Sequence, residues 1–117
     1  MDSVNSTQSR RQGRVISLIN IALSDILNNS RGLDMVLLDN KITITKLDIS
    51  PDLRSLNCYF VPFGMQQMQS KIEAALIKST PEIRKQLAQK VQMRRVPEIK
   101  FLYDAGYDNQ SEVEKLL

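Results

Sequence analysis

The first regular pattern along the chain is helical. Seven apolar residues recur at intervals of one, three and four: Val15, Leu18, Ile19, Ala22, Leu23, Ile26 and Leu27. Polar residues such as Ser17, Asn20 and Ser24 occupy positions between them, so the pattern predicts an amphipathic helix with one buried side. The segment 28–32 follows with asparagine and glycine, which favour the left-handed conformation that ends helices.

Two β-strands are predicted next. Between residues 42 and 49 apolar and polar positions alternate, and the alternation shifts by one position near Thr45 or Lys46, which predicts a β-bulge. Ser50–Leu53 has the residues of a turn, with proline at its second position. Residues 56–63 form the returning strand, so the two segments are expected to pair as an antiparallel hairpin.

A second helical pattern follows the hairpin and is interrupted by Ser79-Thr80-Pro81-Glu82. Proline lacks an amide hydrogen and disfavours the helical conformation of the preceding residue. The pattern therefore predicts two helices, 67–78 and 82–91, that meet at a kink. Ser79 or Thr80 would be the N-cap of the second helix, which would present free amide groups there.

Residues 98–104 alternate once more and predict a third strand. The complete order is helix, strand, strand, helix, kink, helix, strand. This order predicts an α+β fold, a two-layer sandwich in which the helices pack on a three-stranded sheet. We assign residues 1–10 to a flexible polar N-terminal tail and residues 11–117 to a single domain that includes a short C-terminal tail or helix.

The composition excludes most catalytic and metal-binding chemistry. The chain has no histidine and a single cysteine, Cys58, which lies within an apolar run. A zinc site would need carboxylates almost alone, and nucleophiles activated by histidine are impossible. Ser50, Asp52 and Asp104 are predicted to be turn and cap residues, because no histidine or suitably placed lysine could activate the serine. We therefore expect no catalysis, no metal, no cofactor and no small-molecule substrate.

Positive charge is concentrated in residues 71–100. Eight basic residues face three acidic residues there, a local net charge of about +5, whereas the whole chain of 117 residues carries +3. A local excess of this kind on adjacent helices is the electrostatic footprint of a protein that binds a phosphate backbone. A solvated helix face gives the same pattern, and charge alone does not separate the two interpretations.

No segment indicates export or membrane insertion. The N-terminus lacks the uninterrupted apolar stretch of a signal peptide, and the apolar runs are too short to span a bilayer. We expect a cytoplasmic protein, and a monomer because the pattern leaves no obvious exposed apolar seam. Arg10, Arg11 and Arg14 also fit the pattern of an organelle transit peptide, although the helix that follows has the pattern of a domain element.

Three sequence blocks resemble a known family more specifically than the element order does. They are Asp48–Leu53, Asn57–Val61 and Arg94–Asp104, with the sequences DISPDL, NCYFV and RRVPEIKFLYD. In this order and at these separations they are similar to the signatures of the ribosome-binding factor A family. Ser111–Leu117 also resembles the last short helix of that family, so the resemblance covers roughly residues 10–117 and implies a K-homology domain of the second, prokaryotic type.

The resemblance implies a bacterial ribosome assembly factor without catalytic activity. Such a protein binds the free small (30S) ribosomal subunit, contacts 16S rRNA, assists late subunit maturation and 16S rRNA processing, and acts in cold adaptation. The family has an Ala-x-Gly kink between two helices, whereas this chain has Ser79, Thr80 and Pro81 there. Proline permits neither a positive φ nor a backbone donor, so we carry over the kink but not its RNA geometry.

The candidate rRNA-binding residues lie mostly in the basic stretch. They are Lys78, Ser79, Thr80, Arg84, Lys85, Lys90, Arg94 and Arg95, joined by Arg10, Arg11 and Arg14 near the first helix. The basic side chains would neutralise phosphates, which gives affinity but little sequence recognition. The two hydroxyls would contact a phosphate at a helix N-terminus or would only cap that helix. The alternative function is a protein-interaction adaptor on a K-homology scaffold that does not bind RNA directly.

Overall fold

The computed structural model describes residues 3–29, 32–62 and 69–107, with side chains from residue 13 onward. The elements in chain order are α1 (Ser3–Asn29), α2 (Met35–Asp39), β1 (Ile42–Ile49), β2 (Ser55–Pro62), α3 (Gln69–Val91) and β3 (Glu98–Tyr103). The predicted C-terminal helix or tail, and the predicted ends at Phe63 and Gln67, lie outside the described residues. Among those residues, no helix combines the length and the apolar character needed to cross a membrane.

The sheet has the strand order β1-β2-β3, with β1 antiparallel to β2 and β2 parallel to β3. The α+β class, the hairpin and the third strand are thereby confirmed. The bulge is confirmed as well, because the pairing moves from Ile44 opposite Phe60 to Lys46 opposite Tyr59 and leaves Thr45 as the extra residue.

The helices cover one face of this sheet. Alternate residues of the central strand, Leu56, Cys58 and Phe60, are completely buried in a core that they share with Leu23 and Leu76 of the helices. Burial raises the pKa of the Cys58 thiol to about 12, so this cysteine stays protonated and behaves as a small apolar residue.

Helix α1 ends where its stop signals predict, but it begins earlier than the hydrophobic pattern. Its last residue is Asn29, and Gly32 has a φ of 94°, a conformation that glycine adopts without strain. Residues 3–10, which the pattern assigned to a polar tail, are helical in the structure. The sequence between Ser3 and Arg10 contains no proline or glycine that would end the helix.

The end of α1 is tied to the start of β1 by one side chain. The Asn28 amide nitrogen donates to the Ile42 carbonyl at 3.0 Å, and the Asn28 amide oxygen accepts from the Ile42 amide at 2.9 Å. A single asparagine thus satisfies both backbone groups of a strand residue that has no partner strand on that side.

Helix α3 is continuous from Gln69 to Val91, with Pro81 inside it, so the prediction of two separate helices is wrong. Five buried residues, Ile72, Leu76, Ser79, Ile83 and Leu87, follow one another at intervals of four, three, four and four. This spacing keeps them on one side of a single helix on both sides of the proline. Packing of that stripe on the core holds the helix together across the hydrogen bond that Pro81 cannot donate.

Candidate nucleic-acid interface

A row of three lysines runs along the solvent side of α3. Lys71, Lys78 and Lys85 are seven residues apart, which is nearly two helical turns, so they lie on the same side of the helix. All three are exposed, and successive lysines are separated along the helix axis by about 10 Å. We call these residues the lysine row. Lys71 was not among the predicted site residues, although the seven-residue spacing in the sequence would have indicated it.

Small side chains separate the lysines. Ala74 and Pro81 are exposed and lie three positions after one lysine and four before the next, so they fall within the same strip of α3. Neither residue has a long side chain that would hold a ligand away from the helix surface. Glu82, between Lys78 and Lys85, also adjoins the row, but it is half-buried and its carboxylate accepts a hydrogen bond from Gln86 at 3.0 Å. The exposed charge of the lysine row is therefore mainly positive.

Lys78 is the member of the row that forms an ion pair with another described residue. Its Nζ lies 3.6 Å from Asp34 Oδ2, and the lysine side chain is 78% exposed. An exposed pair of this length contributes little to stability, so exchange of Asp34 for a phosphate costs little. Asp34 also has a structural task, because its carboxylate accepts from the Val36 amide and caps α2.

Ser79 and Thr80 do not form a helix N-terminus. Ser79 is only 6% exposed, and its hydroxyl accepts a hydrogen bond from the Asp34 amide at 3.1 Å. The Thr80 hydroxyl donates to the Leu76 carbonyl at 2.7 Å, one turn earlier in the same helix. The predicted N-cap role is wrong because α3 continues through both residues, and the buried Ser79 hydroxyl is not presented to a phosphate.

Arg84 and Lys90 make contacts within the fold. The Arg84 guanidinium donates to the carbonyls of Val96 and Pro97, at 2.8 and 3.1 Å, and fixes the loop between α3 and β3. Lys90 Nζ lies 2.8 Å from Asp25 of α1, where it also lowers the pKa of that carboxyl group by a hydrogen bond and by its charge. Both residues therefore position elements, and Arg84 in particular is not a free surface cation.

Arg94 and Arg95 lie in that loop, are exposed, and form no ion pair with another described residue. The structure places Arg54, from the turn between β1 and β2, beside them along a shared cleft. The sequence pattern did not single out Arg54, because it is 40 positions away from Arg94. The three arginines meet only through the pairing of β2 with β3, in which Ser55 lies opposite Glu98.

The arginines near the first helix belong to α1. Arg14 is exposed, whereas for Arg10 and Arg11 the structure describes the helical backbone alone. The contact of Asp25 with Lys90, and a depression that joins Leu18 to Val91, show that α1 continues past the C-terminal end of α3. Arg14, one turn before Leu18, therefore approaches the same end of the molecule as the loop that carries Arg94.

Ser50, Asp52 and Asp104 are turn and cap residues, as the sequence predicted. The Ser50 hydroxyl donates to Asp52 Oδ1 at 2.6 Å and accepts from the Ser55 amide at 3.0 Å. Asp104 accepts from the Tyr107 amide at 3.0 Å. Within the described part of the chain, no cluster of three histidine, cysteine, aspartate or glutamate residues is placed to hold a metal ion.

Comparison with known proteins gives a consistent result. The sequence model of a family described as ribosome-binding factor A matches residues 11–117. Proteins named ribosome-binding factor A from Rickettsia felis and Rickettsia typhi are both 41% identical to this chain over 117 residues. Those alignments cover 100% of this chain and 98% and 92% of the two relatives.

Solved structures share the fold. The crystal structure of ribosome-binding factor A from Thermus thermophilus matches with a TM-score of 0.63 and 22% identity, over 78% of this chain and 92% of that one. A Thermus thermophilus homology model fitted into a cryo-EM map of a 30S–RbfA complex matches with a TM-score of 0.57 and 22% identity, over 74% and 88%. At this identity the likeness supports the K-homology-like arrangement of helices on a three-stranded mixed sheet.

Proposed function

The chain belongs to the ribosome-binding factor A family, and from this membership we propose that it is a non-enzymatic assembly factor of the small ribosomal subunit. It binds the free 30S particle in the cytoplasm, contacts 16S rRNA, and assists late subunit maturation and 16S rRNA processing, with a role in cold adaptation. The observation that carries the proposal is the full-length 41% identity to relatives of that name. The related Thermus protein that has been fitted into a 30S complex supports the choice of partner.

The lysine row supplies the rRNA contact in this proposal. Three exposed ammonium groups on one rigid helix neutralise phosphates at spaced positions, and the release of condensed counterions from the RNA provides most of the binding free energy. Lysine binds phosphate as a point charge without reading bases, so the row gives affinity and orientation. Sequence-independent binding of this kind suits a factor that recognises the shape of a folded rRNA surface.

Co-sedimentation with free 30S subunits and with intact ribosomes, across a salt series, tests the function. We expect selective binding to the free subunit, which weakens steeply as the salt concentration rises. Lys71→Glu/Lys85→Glu should reduce the affinity about tenfold or more and lower the slope of log K against log salt by about two, because each substitution removes one ammonium group from a phosphate.

A matched control separates the lysine row from total charge. Lys41→Glu/Lys100→Glu makes the same change in net charge at two exposed lysines outside the row, one before β1 and one on β3. If the two double variants bind with equally reduced affinity, net charge rather than the lysine row governs binding. If the unmodified protein binds neither particle, the proposed function itself is wrong.

The adaptor function remains the second candidate because some apolar side chains near the row face solvent. Met35, Leu38 and Ile77 are 73%, 49% and 69% exposed, and such side chains suit protein contacts. An adaptor would bind a ribosomal or other protein with weak salt dependence and would not bind naked 16S rRNA. The same salt series, repeated with protein-free 16S rRNA, distinguishes the two functions.

A further inference from the structure

A cleft at one end of the molecule brings together the turn between β1 and β2 and the loop between α3 and β3. Its volume is about 790 Å³. The charged residues that line it are Arg54, Arg84, Arg94, Arg95, Asp52 and Glu98. Four guanidinium groups thus face two carboxylates. We call this feature the arginine cleft.

Some charged residues of the cleft have hydrogen-bond partners within the fold, and others do not. Asp52 Oδ1 accepts hydrogen bonds from the Ser50 hydroxyl and the Arg54 amide, and these bonds, with the nearby charge of Arg54, lower the pKa of the carboxyl group. Arg84 is held by the carbonyls of Val96 and Pro97. Arg54, Arg94 and Arg95 form no ion pair or hydrogen bond through their side chains with other described residues and are exposed. The cleft therefore has an excess of positive charge that the described fold does not neutralise.

The same cleft has an apolar component. Leu53, Met93 and Val96 line it and are half-buried. A nucleotide of single-stranded RNA offers both a phosphate and an apolar base face, and guanidinium planes also stack on bases. A peptide of acidic residues alone would satisfy the arginines but would leave the apolar lining without a partner. The combination favours RNA over such a peptide.

The backbone on both sides of the cleft is held in an uncommon conformation. Leu53 has a φ of 62° and Gln92, next to Met93, has a φ of 53°. Residues other than glycine and asparagine seldom adopt this left-handed backbone conformation, which has an energetic cost. Hydrogen bonds from the Leu53 amide to the Ser50 carbonyl and from the Gln92 amide to the Ala88 carbonyl hold the two residues there. The walls of the cleft are therefore shaped before any ligand arrives.

We propose that the arginine cleft binds a single-stranded or unpaired segment of RNA, with Arg54, Arg94 and Arg95 on the phosphates and with Leu53 and Met93 against a base or sugar. This inference deepens the proposed function and rests on it, since the RNA is taken to be ribosomal. It assigns a second RNA-binding surface beyond the lysine row, formed by residues from two different loops.

Methyl NMR of selectively labelled methionines locates the bound RNA directly. Met93 lines the cleft, whereas Met35 on α2 is 73% exposed and lies outside it. On titration with a short single-stranded RNA oligonucleotide, we expect the Met93 methyl signal to shift and the Met35 signal to remain. Polyglutamate of the same net charge should need at least about a tenfold higher concentration to give the same shift of the Met93 signal, because it has no base to cover the apolar lining. An unchanged Met93 signal, or an equal response to both polyanions, would overturn the assignment.

The double variant Arg54→Glu/Arg95→Glu tests whether the cleft contributes to 30S binding. It leaves Arg84 unchanged, because Arg84 holds the loop between α3 and β3. This double variant should abolish the Met93 shift and weaken 30S binding about tenfold or more, since it removes two charge-assisted hydrogen bonds to phosphate. An unchanged thermal unfolding midpoint shows that the fold is intact. If the unmodified protein binds 30S and this variant binds equally well, the cleft assignment fails while the proposed function stands. If RNA shifts Met93 but the unmodified protein does not bind 30S, the function fails while the cleft remains an RNA site.

Discussion

Asp104, which follows β3, is hydrogen-bonded to a residue of β1 that lies 59 positions away in the sequence. Its carboxylate accepts a hydrogen bond from the Thr45 hydroxyl at 2.5 Å and one from the Tyr107 amide at 3.0 Å. Thr45, which donates the first of these bonds, is the extra residue at the bulge in β1. These bonds, with the nearby charge of Lys46, lower the pKa of Asp104 from its usual 3.8.

The lowered pKa predicts how Asp104 affects acid stability. The ionised carboxylate stabilises the folded state above pH 3.8, the value in the unfolded chain, and this contribution is lost as the pH falls through the lower folded pKa. Asp104→Asn should therefore cause a small decrease in stability at pH 7 that shrinks below about pH 4. Urea unfolding across a pH series from neutral to acidic measures it. Asp48→Asn, at an exposed carboxylate of β1, is the control, and an equal pH profile for both variants would contradict the role of Asp104.

Other single residues show that a side chain predicted to contact rRNA can instead stabilise the fold. Arg84 was predicted to contact rRNA, yet it donates to two loop carbonyls, and Ser79 accepts from an amide 45 positions away. Buried or half-buried polar groups of this kind must find partners within the fold. Their availability to a ligand is therefore decided by the packing around them.

Helix α3 is the element in which local preference and packing conflict. An internal proline costs a helix about 3 kcal/mol relative to alanine. Complete burial of one leucine or isoleucine side chain contributes about 1.5–3 kcal/mol, and two of them, Ile83 and Leu87, follow the proline with no exposed fraction. Packing therefore outweighs the preference for a break.

This balance predicts that Pro81→Ala stabilises the protein. Pro81 is exposed, so alanine leaves no cavity, and it restores a donor for the Ile77 carbonyl. We expect a gain of about 2 kcal/mol, which is the helix cost of proline less about 1 kcal/mol for the greater freedom of the unfolded chain. Urea denaturation measures the change. Pro81→Gly should gain about 1 kcal/mol less than alanine, and destabilisation by alanine would show that the chain needs a break at this position.

At the scale of the whole molecule, positive charge is divided between two places on α3 and the loop after it. The lysine row runs from near the N-terminal end of the helix to Lys85, and the arginine cleft extends from Arg84, the neighbour of Lys85, past the C-terminal end of the helix. Lys71 is about 30 Å from the end of the helix at Val91, at about 1.5 Å per residue. Binding of the subunit at both Lys71 and the cleft would fix its orientation better than binding at either place alone.

The distance of Lys71 from the cleft predicts that Lys71 and Arg54 contribute independently to ribosome binding. Changes at distant sites with no shared partner add in free energy. Lys71→Glu combined with Arg54→Glu should therefore reduce 30S affinity by the product of the two single reductions, as measured by co-sedimentation at one salt concentration. A combined variant that binds no more weakly than the weaker-binding single variant would show that the two residues do not contribute independently.

The sequence by itself determined the fold class, the amphipathic part of α1 and the three strands, whereas it did not predict α2 and it divided α3 in two. Helical and strand periodicity, the shift near Thr45 and the turn at Ser50–Leu53 all depend on residues within a few positions of each other, so they can be read from the chain. The family signatures are equally local. For the candidate site, the sequence located the basic stretch that contains Lys78 and Lys85, because charge density does not depend on how the chain folds.

The tertiary structure decided which of those residues face outward and which act together. Continuity of α3 depends on burial of a stripe against the sheet, and the burial of Ser79 depends on the approach of Asp34, 45 positions away in the sequence. The meeting of Arg54 with Arg94 depends on strand pairing between β2 and β3. Local periodicity does not predict which distant residues lie close together, because their proximity is set by how the helices and strands pack.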